Sequence, residues 1–273
     1  MIEFNGVTKE EILSDPTEYT AALSAEGCIA FRQIGLTRDE FAEVTQALGM
    51  DDSPVAQDID HGTRFRQAVE NPAILSGGLF LAWHMEDTYK EHLPQIIAIN
   101  MHTFKVPHEP TEWPGGQTGF VDMHQCHNMM PSEWKESLKD ARMLAEQVSY
   151  IPEPILQHPH PLFMEDPMSG EIVVHAQGHS STTEPPYRLD PETCPDLSEG
   201  DIDAVNQWIQ DFMYIPEYQQ WYSWLEGDMV VFNGIRFAHA VSDGFEQGQR
   251  VFDRTAYHGG NDDAWKVPSF EGR

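Results

Sequence analysis

In the stretch LAWHMEDTYK, His84 and Glu86 stand two residues apart directly after an apolar run. Residues i and i+2 of a strand face the same way, so the imidazole and the carboxylate can point at one centre. That pair suits a divalent metal of intermediate hardness. Two histidines and one carboxylate form the facial triad of non-heme Fe(II) oxygenases, which leaves positions open for other ligands. The spacing alone is weak evidence, because a chain with 13 His and 45 acidic residues produces His-x-Glu by chance. A third ligand has to come from a distant strand. His239 is the candidate, since it follows the strand DMVVFNG and precedes another that is rich in arginine. Arg250 and Arg254 lie four apart in that last strand, on one face. A buried arginine near a metal is a natural bidentate partner for a carboxylate. His84, Glu86, His239 and Arg250 together would hold Fe(II) and an oxo-diacid.

The elements that must position these groups can be read from the rest of the chain. Asp15-Pro16 opens a helix over about 16–26, with Asp15 as N-cap and Pro16 just inside. CIAFRQI follows as a strand, and Thr37 caps a second helix that ends on Gly49. The middle reads as the strands TRFRQAV, LFLAWHM, QIIAINMHTF and TGFVDM, interrupted by one helix over 131–148. PLFMEDPMSGEIVVH has the look of a hairpin turning at 167–170. A further helix fits 197–213, and the end returns to the strands QQWYSWL, DMVVFNG and QRVFDRTAYHG. Many short strands with a few peripheral helices predict a mainly β fold, one sandwich or jelly-roll domain over 1–273.

Composition narrows the partners. A formal charge of −29 argues against nucleic acid or an anionic membrane. The longest apolar runs, LFLAW and MVVF, are too short to span a bilayer. The N-terminus lacks the basic and apolar regions of a signal peptide. Cys28, Cys126 and Cys194 are few and widely spaced, which predicts reduced thiols in a cytoplasmic protein.

Four segments carry a resemblance to a known family. WHMEDTY is similar to the pattern W-H-x-[DE]. HTFKVPHEPTEWPGGQTGFVDM resembles a segment ending in G-x-T-x-F-x-D. HPLFMEDPMSGEIVVHAQG resembles a His-Pro hairpin. GDMVVFNGIRFAHAVSDGFEQGQRVFDR looks like G-D-[LIM]-x-x-[WF]-[DN]-N-x-x-x-x-H followed by two arginines. In that order and spacing they resemble the taurine dioxygenase-like Fe(II)/2-oxoglutarate oxygenases, over roughly residues 20–262.

The resemblance implies a double-stranded β-helix (jelly-roll) core. It also implies an enzyme using Fe(II), 2-oxoglutarate and O2, which releases succinate and CO2 while hydroxylating a small molecule. His84, Glu86 and His239 would ligate iron, Arg250 would pair with the distal carboxylate of 2-oxoglutarate, and Thr118 would hydrogen-bond one of its carboxylates. Arg254 would grip an acidic group of the substrate or brace the cofactor pocket. Phe80, Asp87, Tyr89 and His179 fall at substrate-facing positions.

The chain departs from the taurine-type pattern in carrying Glu86 where Asp is usual, a feature of the clavaminate synthase-like branch. It also has Phe232-Asn233-Gly234 in place of Asp-Asn. The expected substrate is therefore not taurine but a small polar metabolite, an amino acid or amine-bearing acid, with a sulfonate or carboxylate as the alternative. Relatives are commonly dimers or tetramers, so a homo-oligomer is open.

Plainer readings stand beside these. His124, Cys126 and His127 could form a soft-metal site or simply lie in a strand-to-helix loop. His158 and His160 read as loop residues, and Arg64 or Arg66 could reach a substrate carboxylate. Trp208, Phe212, Trp221 and Trp224 have the spacing of core packing. Two His and a Glu could also bind Zn2+ in a hydrolase, which leaves Arg250, Arg254 and Thr118 without a task. A non-catalytic jelly roll that binds a small molecule or a partner is the last alternative.

Overall fold

The computed structural model describes residues 1–50, 66–67, 79–88, 91–106, 115–145, 158–176, 187–242, 244–245 and 249–258, with backbone alone at 66–67 and 79–82. The larger of its two main sheets has six strands in the order β1 (Ile2–Asn5), β2 (Cys28–Arg32), β13 (Met229–Asn233), β5 (Ile96–Phe104), β15 (Arg250–Tyr257) and β3 (Arg66–Gln67). The smaller has four, β12 (Gln219–Tyr222), β6 (Thr118–Asp122), β14 (Phe237–Ser242) and β4 (Leu79–His84). Only β1–β2 pairs parallel among the described strands. Taken in chain order, β3, β4, β5, β6, β12, β13, β14 and β15 pass large, small, large, small, small, large, small, large. Two opposed antiparallel sheets threaded in this way are a jelly roll.

Between β6 and β12 the chain adds a three-stranded sheet, β11 (Tyr187–Leu189), β7 (Arg142–Ala145) and β8 (His160–Pro161). It also adds the hairpin β9 (Phe163–Glu165)–β10 (Ile172–Val174). Helices α1 (Lys9–Ser14), α2 (Thr17–Glu26) and α3 (Arg38–Ala47) precede the jelly roll. Helices α4 (Met123–Met129), α5 (Ser132–Ser137) and α6 (Glu199–Met213) belong to the later part.

Strand alternation sorts the side chains into three layers. Ile29, Phe31, Ile96, Ala98, Met229 and Val231 of the large sheet pack outward against Leu23, Phe41 and Val44 of the first helices. Their neighbours Ala30, Ile97, Ile99, Val230 and Phe232 turn inward and meet Phe120 and Phe237 of the small sheet. The outer face of the small sheet, with Trp83, Val121, Ala238 and Ala240, is covered by Ile202, Val205, Ile209 and Phe212 of α6 and by the inserted strands. Gly119 in β6 is required by that packing, since a Cβ there would come 2.6 Å from Trp83 and 2.9 Å from Trp221.

The predicted helices at Pro16, Thr37 and 197–213 form. Thr37 and Ser198 each close a capping box, with Glu40 and Asp201. The helix expected from Pro16 starts one residue later, at Thr17, with Pro16 and not Asp15 at the N-cap, because the Asp15 carboxylate accepts from the Thr17 N–H at 3.0 Å across Pro16. The hairpin at 167–170 forms as β9–β10.

One expectation fails. The helix predicted over 131–148 stops at Ser137, and Arg142–Ala145 is a strand. Buried positions run Leu138, Ala141, Met143, Ala145, so their spacing changes from three to two, which suits a strand pairing with β11 and β8. The strand β14 and the helix α4 are additions that the sequence reading left out.

Candidate active site

β4 and β14 are antiparallel neighbours in the small sheet, and their register sets His84 directly opposite His239. The ring centroids are 4.1 Å apart. Trp83 and Met85 turn into the outer core, so His84 and Glu86 are left on the inner face. Glu86 lies just past the end of β4, in the turn 86–88. Its Oε2 is 3.4 Å from His239 Nε2 and 3.7 Å from His84 Nε2. Ligand atoms of the three residues all lie within 4.8 Å of one another, and all three residues are buried. It is the one such cluster among the described residues.

The electrostatics suit a metal. Burial alone would raise the Glu86 carboxyl, but the Arg254 charge and the contacts with His239 and His84 outweigh it and hold the group well below the usual carboxylate range. Burial pushes His239 down to about 4, and the His84 ring adds to that shift. At neutral pH, Glu86 is ionised and His239 neutral, the forms that ligate a metal. Phe232, at the [WF] position of the family pattern, packs edge-on against His239 with ring centroids 5.2 Å apart. The following Asn233 closes the turn into β14 by accepting from Ile235 and Arg236 N–H at 2.9 and 3.0 Å. It also donates to Asp166 at 2.7 Å.

On the same inner face, β15 presents Arg250, Phe252 and Arg254. Arg250 is 2% exposed. Its Nη2 donates to Thr118 Oγ1 at 3.0 Å, its Nε has no partner among the described residues, and the Trp224, Phe245 and Phe252 rings surround it. Burial pushes it down to about 9. The Thr118 hydroxyl also accepts from Trp224 Nε1 at 2.9 Å. With its oxygen engaged twice, its hydrogen remains to donate to a ligand. A buried cation with a free N–H and a hydroxyl hydrogen beside it forms a receptor for a carboxylate.

Arg254 and Asp87 have partners beside the triad. Arg254 Nη2 lies 2.9 Å from Glu86 Oε1. Asp87, in the left-handed region with φ 56°, meets His258 Nε2 at 3.0 Å. Phe80 falls within β4, where only the backbone is described, and Tyr89, His179 and Arg64 lie outside the described residues, as does the Arg66 side chain.

The second metal cluster considered from sequence does not assemble. Cys126 faces the core of α4, where burial pushes its thiol up. His124 pairs with Glu171 at 3.1 Å, and His127 stands edge-on to Phe163. His160 packs against His175. The three cysteines are unpaired and buried. Among the described residues no helix is long and apolar enough to cross a membrane.

Two participants escaped the sequence reading. Trp224 reads there as core packing, and it is buried, yet its indole N–H orients Thr118. His258 carries no local signal at all, because only the closure of the sheet brings it to Asp87.

Residues 3–256 match the family described as taurine catabolism dioxygenase TauD, TfdA family. No curated protein matches the chain. Among solved structures, a taurine dioxygenase from Burkholderia xenovorans superposes with a TM-score of 0.69 at 19% identity, covering 96% of this chain and 90% of its own. AAD-2, solved in complex with Mn(II) and N-oxalylglycine, superposes with a TM-score of 0.68 at 13% identity, covering 97% and 95%. The chain belongs to the TauD, TfdA family of dioxygenases, enzymes that depend on Fe(II), 2-oxoglutarate and O2.

Proposed function

We propose that His84, Glu86 and His239 hold Fe(II), that Arg250 and Thr118 hold 2-oxoglutarate, and that the chain hydroxylates a small polar metabolite, an amino acid or amine-bearing acid. The observation that carries the cofactor assignment is the buried Arg250, which has no acidic partner among the described residues and shares Thr118 with Trp224 on the inner face of the sandwich. A dicarboxylate supplies the missing counter-charge. Bound Fe(II), with 2-oxoglutarate and O2, supplies the oxidation, coupling decarboxylation to succinate and CO2 with insertion of oxygen at a C–H bond.

The protein's own part is positional. Arg250 and Thr118 fix the distal carboxylate of the keto acid, and Trp224 fixes Thr118. Phe232 and Phe120 keep the floor of the site apolar and dry. The substrate assignment is supported by a carboxylate and a guanidinium, Asp87 and Arg254, brought beside the ligands with opposite charges. The remaining N–H groups of Arg254 can meet an acidic function, and Asp87 an amine.

The first test is anaerobic. Fe(II) followed by 2-oxoglutarate gives a weak visible charge-transfer band, which His84→Ala abolishes and Arg250→Ala weakens. No band with folded protein rejects the iron assignment. With the band in hand, succinate release is measured against amino acids, amine-bearing acids, sulfonates and simple carboxylates. Stimulation by the last two classes alone rejects the amine-bearing substrate and leaves the cofactor assignment standing.

A further inference from the structure

Glu86 is held from two sides. Its Oε2 faces His239 and His84 at 3.4 and 3.7 Å, while its Oε1 faces Arg254 Nη2 at 2.9 Å. The guanidinium approach is a charge contact, not an aligned hydrogen bond. It remains strong here because both groups are largely buried, where solvent screens little. Arg254 comes from β15, and His258, just past the end of that strand, meets the next residue of the same turn, Asp87, at 3.0 Å. Asp87 has φ 56°, in the left-handed region that Asp adopts more readily than most non-glycine residues. β15 and the residue that follows it therefore meet the ligand-bearing turn at two successive residues. The longer arm of Glu, compared with Asp, lets one carboxylate span from the histidines to β15.

We infer that Arg254 is a positioning residue that holds Oε1 of Glu86 and so restricts the carboxylate to a single ligating oxygen, Oε2. The inference rests on the metal site proposed above. A carboxylate with both oxygens free can chelate a cation. In an octahedral site with three protein donors, a second carboxylate oxygen would occupy one of the positions that the keto acid and O2 require. Arg254 keeps that position open by charge and by place, without touching the metal.

The test uses the full chain loaded with Mn(II) alone. Solvent-proton relaxation reports how many exchangeable waters the bound ion carries. The variants are Arg254→Met, Arg254→Lys, Glu86→Asp and the double variant E86D/R254M, with Arg254→Ala in reserve should the methionine variant not fold, and thermal melts as the check. In Arg254→Met the freed Oε1 displaces one water, and the relaxation enhancement falls by about a third, one of about three open positions. Arg254→Lys, which keeps a cation, restores most of the enhancement. E86D/R254M matches Glu86→Asp, because the shorter carboxylate no longer depends on Arg254.

Unchanged relaxation in Arg254→Met, with Mn(II) bound, overturns the inference. So does an equal fall on introducing R254M into the wild type and into Glu86→Asp, since Arg254 would then act other than through Oε1. Folded wild type that binds no Mn(II) removes the metal site itself, and the inference with it.

Discussion

A guanidinium without a counter-charge is costly inside a sandwich, and Arg250 has no acidic partner among the described residues. It is 2% exposed, and burial lowers its proton affinity to about 9. The Trp224, Phe245 and Phe252 rings, 5.8, 6.0 and 4.9 Å from it, give cation–π contacts that offset only part of that cost. Replacing a buried, unbalanced charge by an apolar side chain of similar length stabilises the ligand-free fold. Arg250→Met is therefore expected to melt higher than wild type in the absence of keto acid. The same change removes the partner of the distal carboxylate, which costs about 2–5 kcal/mol of binding, at least about 30-fold in Kd for 2-oxoglutarate. Titration of the charge-transfer band and a thermal melt measure the two effects on one variant. A lower melting temperature together with unchanged Kd would show that Arg250 serves the fold. The sequence pattern put His84, Glu86 and Arg250 forward as candidates only with the family resemblance beside it, because His-x-Glu spacing arises by chance in so acidic a chain. Trp224 was not put forward, since a tryptophan that orients a hydroxyl and one that fills a core have the same local pattern.

The helices rest on local rules that acid should expose. Three of them start with capping boxes, Thr8/Glu11, Thr37/Glu40 and Ser198/Asp201. In the second, the Thr37 backbone N–H and hydroxyl, with Lys9 beside them, pull the Glu40 carboxyl down to about 2. A folded value below the unfolded one means that the contribution is present above about 4.5 and is lost as pH falls through about 2. Glu40→Gln is therefore expected to melt below wild type at pH 7, and the gap should close across that window. A gap that stays constant with pH would mean that the cap works by geometry alone. Such caps are why α3 and α6 could be placed from sequence to within a residue or two. The strand Arg142–Ala145 could not, because its residues are good helix formers and only pairing with β11 and β8 overrides that preference. β14 was passed over for a related reason: Phe237–Ser242 is short, follows a turn and is identified by its neighbours β4 and β6 more than by its own composition.

At the scale of the whole molecule the dominant fact is charge: 16 basic against 45 acidic residues, or −29. Several of the few cations are committed to fixed partners. Arg32 holds Asp228 and Glu3, Arg38 holds Asp253, and Arg236 holds Asp122. Arg254 faces Glu86, and Arg250 is enclosed by rings. The acids still exceed the bases by 29, and a net charge so far from zero opposes the compact state. Their repulsion is long-range, so it should be screened once the Debye length falls from about 30 Å at 0.01 M salt to well under about 10 Å above 0.1 M. The ion pairs that fix β2, β15 and β14 are short and partly buried, and salt weakens them much less. The melting temperature is therefore expected to rise between about 0.01 and 0.5 M salt, equally in NaCl and KCl, because screening depends on ionic strength and not on the identity of the cation. A difference between the two salts would point instead to cation binding at the acidic surface. A fall with salt would mean that attraction within the arginine pairs outweighs the repulsion of the excess acids.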